Sequence, residues 1–136
     1  MQADAAVAFS LPLRVYWEDT DAGGIVFYAN YLKFFERART EWLRSLGVHQ
    51  QAMRERTGAI FVVTHTSTHY RAPARLDDAL IVTVAVLHTG RASLEVAQQA
   101  RRDDTLLAEG EVRIGCVDAA TMRPCRIPAD LLNKLT

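Results

Sequence analysis

Cysteine is scarce in this 136-residue chain: only Cys116 and Cys125 occur, nine positions apart and with no Cys-x-x-Cys motif. That excludes a disulfide scaffold and makes reduced thiols the simplest reading, with a disulfide or a metal pair the lesser one. An excess of either charge is also missing. Lys plus Arg and Asp plus Glu number 16 each, so the formal net charge is zero. No general field draws such a chain to nucleic acid or to an anionic membrane, and weak self-repulsion is compatible with self-association. Long apolar runs are absent as well. The most apolar segment, Ala79 to Leu87, falls far short of the roughly 20 residues that span a bilayer. Met1-Gln2-Ala3-Asp4 lacks the basic stretch and apolar run of a secretory leader, so a cytoplasmic protein is expected. No Gly-x-Ser-x-Gly is present, which argues against a serine hydrolase of the α/β type. No His-x-His or Cys-His grouping supports zinc. His65 and His69 share one face of a strand but stand about 13 Å apart, too far to chelate one ion together. His49 and His88 sit near turns and look incidental.

What is present is an ordinary globular balance, 49% hydrophobic and 24% charged. No linker, repeat or low-complexity stretch divides it, so residues 1–136 read as one domain. A domain of this length buries roughly two thirds of its unfolded surface. Leu11, Leu13, Val15 and Trp17 alternate with polar residues and predict a half-buried strand. Asp19-Thr20-Asp21-Ala22-Gly23-Gly24 breaks it. Tyr31, Phe34, Phe35, Ala38 and Trp42 then recur at helical spacing, with Leu32, Leu43 and Leu46 widening the stripe. Asn30 is the expected cap and Gly47 the expected stop, with Arg37 and Glu41 as an outer-face pair. A short helix is expected over residues 50–56. Strands follow over 60–71, 80–87, 93–101 and 106–116, the second a candidate for burial on both faces. A last helix is expected near 129–135, after Pro128. One long helix followed by strands on short connections predicts an α+β domain, an antiparallel sheet wrapped on a helix. Its open edges favour pairing across a homodimer.

The loop from Asp19 to Tyr31 carries the candidate chemistry. Two carboxylates and two glycines lead into a mostly apolar helix. The first N–H groups of a helix have no internal partner and form a natural seat for an oxyanion. Gly23 and Gly24 let backbone approach a ligand closely. A carboxylate near polarising amides suits acyl transfer, either by direct attack or by activating water. On residue chemistry alone, a capped turn is the commoner use of such a loop.

Val15-Tyr16-Trp17-Glu18-Asp19-Thr20-Asp21-Ala22-Gly23-Gly24-Ile25-Val26-Phe27-Tyr28-Ala29-Asn30-Tyr31, followed by Phe35-Glu36-Arg37-Ala38-Arg39-Thr40-Glu41, resembles the hotdog thioesterases of the 4-hydroxybenzoyl-CoA thioesterase family. The likeness is greatest to the YbgC branch, acyl-CoA thioesterases encoded beside the Tol-Pal cell-envelope system. It continues through Tyr70-Arg71-Ala72-Pro73-Ala74-Arg75-Leu76-Asp77-Asp78 and Cys116-Val117-Asp118. The resemblance implies a hotdog fold and hydrolysis of an acyl-CoA, with coenzyme A as part of the substrate and no metal or redox cofactor. It makes Asp21 the catalytic aspartate, as nucleophile or general base. The helix start at Tyr28 to Tyr31 becomes the place where a backbone amide polarises the thioester carbonyl. Tyr28 stands where many YbgC members have His and the 4-hydroxybenzoyl-CoA enzymes have Tyr. Gly24, Ile25, Val26 and Tyr31 become the substrate-binding stretch. Arg91 resembles the loop that holds the nucleotide end. Asp19, the first acid of the loop, is expected to fix the turn. Glu41 is expected in an ion pair, and Glu36 has the lesser prospect of facing the site. Arg71 and Arg75 are open as ligand contacts or structural groups. Phe27, Tyr28 and Tyr31 suit a short aliphatic or an aromatic acyl group. The implied partners are the acyl-CoA, an acyl carrier protein, and further copies of the chain in a homodimer or homotetramer. The rival reading is a non-catalytic module that binds acyl carrier protein. A hotdog dehydratase would need a histidine in the catalytic loop, and none lies between Asp19 and Tyr31.

Overall fold

The computed structural model describes residues 5–135. Residues 1–4, on which the leader argument rests, lie outside the described residues. The element order is β1 (Val7–Arg14), α1 (Asn30–Ser45), α2 (Gln50–Thr57), β2 (Ala59–Tyr70), β3 (Ala79–Thr89), β4 (Ser93–Arg102), β5 (Thr105–Asp118) and α3 (Ala129–Leu135). The strands form one antiparallel sheet in the order β1-β3-β4-β5-β2. This is the expected α+β arrangement, with the sheet curled around α1. Two short turns join β3 to β4 and β4 to β5. The β2–β3 connection is different, because β2 pairs with β5 at the far edge. Residues 71–78 therefore pass across one end of the sheet, and there they meet the loop that follows β1.

Helix α1 turns Tyr31, Phe34, Phe35, Ala38, Trp42 and Leu43 inward, onto a layer that includes Leu80, Val82, Val84, Leu94, Val96, Val112 and Ile114. Each of the Val, Leu, Ile and Phe side chains among them contributes roughly 1.5–3 kcal/mol when fully buried. Gly47, at φ +84°, donates its N–H to the Arg44 carbonyl and ends the helix as expected. Gln98 points inward on β4 and is fully buried. It accepts from Arg39 Nη1 (2.9 Å) and donates to the Phe35 carbonyl (3.0 Å), so the polar group is satisfied.

Several local expectations are corrected. The strand stops at Arg14, and Trp17 opens a 3₁₀ turn (Trp17–Asp19) with its side chain 81% exposed. The cause is Asp19, whose Oδ2 accepts from the Tyr16 N–H at 2.8 Å and so replaces a ladder bond. Asn30 does not cap α1; Ala29 holds the cap position, and the Asn30 side chain is engaged elsewhere. Leu32 lies off the buried stripe. Arg37 sits over the Phe34 ring, and Glu41 pairs with Arg44 (2.7 Å) in its place. Strand β3 is closed on its inner face, but Ile81 stays exposed on the outer one.

The β2–β5 ladder needs a glycine at position 110. A Cβ there would overlap the Ser67 carbonyl oxygen. Gly110→Ala is therefore expected to lower stability by about 1–3 kcal/mol, read as a lower melting temperature. A melting temperature equal to that of the parent chain would show that the ladder tolerates a methyl group.

The strap after β5 returns alongside it, so that the Cys125 N–H donates to the Cys116 carbonyl (3.0 Å). The two cysteines, far apart in motif terms, thereby become cross-strand neighbours with free thiols, Sγ to Sγ 3.6 Å. Burial, reinforced by the hydrogen bond and charge of the Cys125 thiol, pushes the Cys116 thiol up to about 12. The thiolate is the reactive form. At pH 8 an alkylating reagent is accordingly expected to modify only Cys125 in the native chain and both cysteines in denaturant. Equal native labelling of both, read by peptide mass, would contradict this.

Candidate active site

The loop after β1 is fixed by its first acid. Asp19 is buried; its Oδ2 takes the Tyr16 N–H and its Oδ1 takes Asn30 Nδ2 at 2.9 Å. Its own carbonyl accepts the Phe27 N–H (3.0 Å). Asp19 and Asn30 thus form a buried strut between the start of the loop and the first turn of α1. This is the turn-fixing role expected of Asp19, with Asn30 as the partner that residue spacing did not reveal.

Between the two ends of the strut the chain makes a short excursion. The Asp21 N–H donates to the Ile25 carbonyl (2.9 Å), and Gly24, at φ +80°, closes the turn in a conformation that glycine adopts without strain. The Asp21 carboxylate is exposed. Its Oδ1 accepts from the Gly23 N–H (2.9 Å), with a longer contact to the Ile25 N–H (3.4 Å). Among the described residues Oδ2 has no partner, and no cation lies at ion-pair distance. Ile25 bridges Arg75, and the Val26 N–H donates to the Ala74 carbonyl (2.9 Å), so the crossing segment clamps this loop. That segment is held in turn by Asp78. Burial pushes the Asp78 carboxyl up, but hydrogen bonds from the Arg75 N–H and the Arg102 guanidinium outweigh it and hold the group below the usual carboxylate range.

The turn of residues 27–29 leads into α1. The Asn30 N–H donates to the Phe27 carbonyl (2.8 Å). Neither the Tyr28 nor the Ala29 N–H has an acceptor among the described residues. These are the unpaired donors expected ahead of a helix, where its dipole adds partial positive charge. Beside them lies an open groove of about 290 Å³, lined by Ile25, Val26, Tyr28, Tyr31, Tyr70 and Arg71 among others. Its wall is aromatic. Tyr31 is buried, and burial raises its phenol even though a hydrogen bond with the Ala74 backbone works the other way. Burial, and then the neighbouring Tyr28 phenol, likewise raise Tyr70.

Not all the expected residues meet here. Ile25, Val26, Tyr28 and Tyr31 line the groove, whereas Asp21 and Gly24 stand beside it on the same loop. Arg91 does not join them within one chain. It occupies the β3–β4 turn, while the loop lies at the Ala79 end of β3, a strand roughly 33 Å long at about 3.3 Å per residue. Glu36 is exposed two turns along α1 and lines a different cleft, with Arg39, Phe61 and Val63. Arg71 pairs with Glu109 (2.9 Å) at the rim of the groove. His65 and His69 lie on the exposed part of β2, opposite Arg113 and Glu109. No cluster of three or more candidate metal ligands occurs among the described residues. Tyr70 went unassigned in the sequence. Its partner is 42 positions away, and no local pattern signals the contact.

A family model for the thioesterase-like superfamily matches residues 15–135, the span that holds the loop, the helix and the sheet. The chain belongs to that superfamily. It is similar to the acyl-CoA thioesterase YbgC of Haemophilus influenzae, with 43% identity over 123 residues and 90% of each chain covered. It is 45% identical over 126 residues to the acyl-CoA thioester hydrolase YbgC of Escherichia coli, covering 91% of this chain and 92% of that one. Among solved structures, a probable thioesterase from Bartonella henselae superposes with a TM-score of 0.84 at 30% identity, covering 90% of this chain and all of that one. The likeness drawn from the loop and helix motifs is therefore borne out, and the fold of this thioesterase is the hotdog fold.

Proposed function

We propose that the chain hydrolyses acyl-coenzyme A thioesters at the loop of Asp21. The observation that carries this is the pairing on one clamped loop of an exposed carboxylate with two amides, the carboxylate free of any cation and the amides of any acceptor among the described residues. The thioester carbonyl oxygen points at the Tyr28 and Ala29 N–H groups, which stabilise the negative charge that develops on it. Asp21 either takes a proton from water as the water oxygen attacks the carbonyl carbon, or attacks that carbon itself and forms an anhydride that water then opens. In both routes the carbon–sulfur bond breaks, the sulfur leaves with a proton as the coenzyme A thiol, and the free acid remains. Neither route calls for a metal or redox cofactor. Phe27, Tyr28 and Tyr31 favour a short aliphatic or aromatic acyl group.

Arg91 reaches this site only from a second copy of the chain. Strand β1 is an edge blunted by Pro12, whereas the exposed edge of β2 contains no proline. Pairing two β2 edges gives a homodimer, which can pair again into a tetramer. Acyl carrier protein as an alternative thiol carrier, cytoplasmic residence and a role beside the Tol-Pal system belong to the same reading and rest on the sequence resemblance alone. Among the described residues, no helix is long and apolar enough to cross a membrane.

The test is a panel of acyl-CoAs, aliphatic and aromatic, followed by loss of thioester absorbance. At least one is expected to turn over at a typical enzymatic rate, on the order of 1–10³ per second. Binding of acyl-CoA or acyl carrier protein with no hydrolysis of any member would replace this reading with that of a binding module.

A further inference from the structure

We propose that Tyr70 is a positioning residue for the carbonyl-binding turn, tying it to the sheet and polarising one of its amides. The inference rests on the site proposed above. Tyr70 is the last residue of β2, and its phenol donates to the Tyr28 carbonyl at 2.9 Å. Its ring meets Tyr28 edge-on (centroids 6.3 Å, 84°) and leans on Tyr31 (5.7 Å, 59°).

The rest of the turn is held from within its own segment. Phe27 is fixed to Asp19 and Asn30, and the Ala29 carbonyl accepts from the Leu32 N–H (3.1 Å). The Tyr28 carbonyl has no other hydrogen-bond partner among the described residues. Tyr70 is thus the link between this peptide and the sheet. Its effect on the site is directional. The Tyr28 carbonyl and the Ala29 N–H belong to one peptide unit, and a donor at the carbonyl draws electron density from the nitrogen. Linked hydrogen bonds polarise one another in this way, so the Ala29 N–H becomes a stronger donor. That N–H has no acceptor among the described residues. A carbonyl oxygen seated there gains most when it becomes an oxyanion, so the phenol assists turnover more than substrate binding.

The experiment compares wild type, Tyr70→Phe and Asp21→Asn. Phenylalanine keeps the ring and removes only the donor. Deleting an oxyanion donor outright costs about 10²–10³-fold in kcat; weakening one should cost less, about tenfold. Tyr70→Phe is expected to lower kcat by that factor, with KM within twofold and a melting temperature within about 2 °C. The second readout is infrared difference spectroscopy on an isotopically labelled ketone analogue of the acyl-CoA, with methylene in place of the thioester sulfur. Its bound carbonyl band is expected below the solution frequency in wild type and in Asp21→Asn, and part-way back in Tyr70→Phe. An unchanged kcat or an unchanged band in Tyr70→Phe overturns the role of Tyr70, provided Asp21→Asn is inactive. Full activity of Asp21→Asn overturns the site itself.

Discussion

Replacing Asp21 by Asn is expected to reduce acyl-CoA hydrolysis by about 10²–10⁴-fold, the range that a general base typically supplies. The substitution is a clean one in this setting. Asparagine keeps an oxygen where Oδ1 accepts the Gly23 N–H, so the turn can persist. The side chain is exposed and joins no ion pair among the described residues, so stability should change by no more than about 0.5 kcal/mol. Acyl-CoA affinity should change little, because the amides and the aromatic groove remain. The check is kcat and KM with the best member of the acyl panel, beside a thermal melt. Wild-type turnover in a folded variant would remove Asp21 from the mechanism.

The second large effect concerns the strut beneath the loop. Asn30→Leu is expected to destabilise the chain by about 2–3 kcal/mol. It leaves the buried Asp19 Oδ1 without its donor, and an unsatisfied charged acceptor costs more than an average hydrogen bond contributes. For a chain of this length that corresponds to a fall of roughly 10 °C in melting temperature. Catalysis should fall too, because the same strut sets where α1 starts relative to Asp21. The reciprocal exchange, Asp19→Asn with Asn30→Asp, restores a carboxamide donor facing a carboxylate, and residue 19 can still accept the Tyr16 N–H. It should recover most of the lost stability, as partners in one network do not add independently. A double variant no more stable than the less stable of Asp19→Asn and Asn30→Asp made singly would show that Asp19 and Asn30 do not act as a pair.

The contrast between these two predictions tracks what could be read along the chain. Elements governed by local pattern were legible. Pro128 sets the start of α3, Gly47 stops α1, and the spacing of Tyr31, Phe34, Phe35, Ala38 and Trp42 gives the buried face of the long helix. Trp17 was misread because apolar alternation carries no sign that a side chain three residues on will take over a backbone N–H. The sheet order was not legible either. Strand β2 pairs with β5, three strands later in the chain, and such a long-range pairing is decided by packing of the whole chain. For the candidate site, the loop composition offered two acids, the glycines and the unpaired amides, and the family resemblance singled out Asp21 from Asp19. The Asn30 strut, the Tyr70 phenol and the cysteine pair depend on contacts between residues well separated in sequence, for which periodicity has no signature.

The central claim is geometric, and a structure of the Asp21→Asn chain with an intact acyl-CoA tests it most directly. The thioester oxygen is expected about 2.7–3.1 Å from the Tyr28 or Ala29 amide nitrogen. The carbonyl carbon is expected within about 3.5 Å of the residue 21 side chain or of a water that it holds. An acyl-CoA whose thioester lies along the Glu36–Arg39 cleft, or anywhere remote from that turn, would contradict the account.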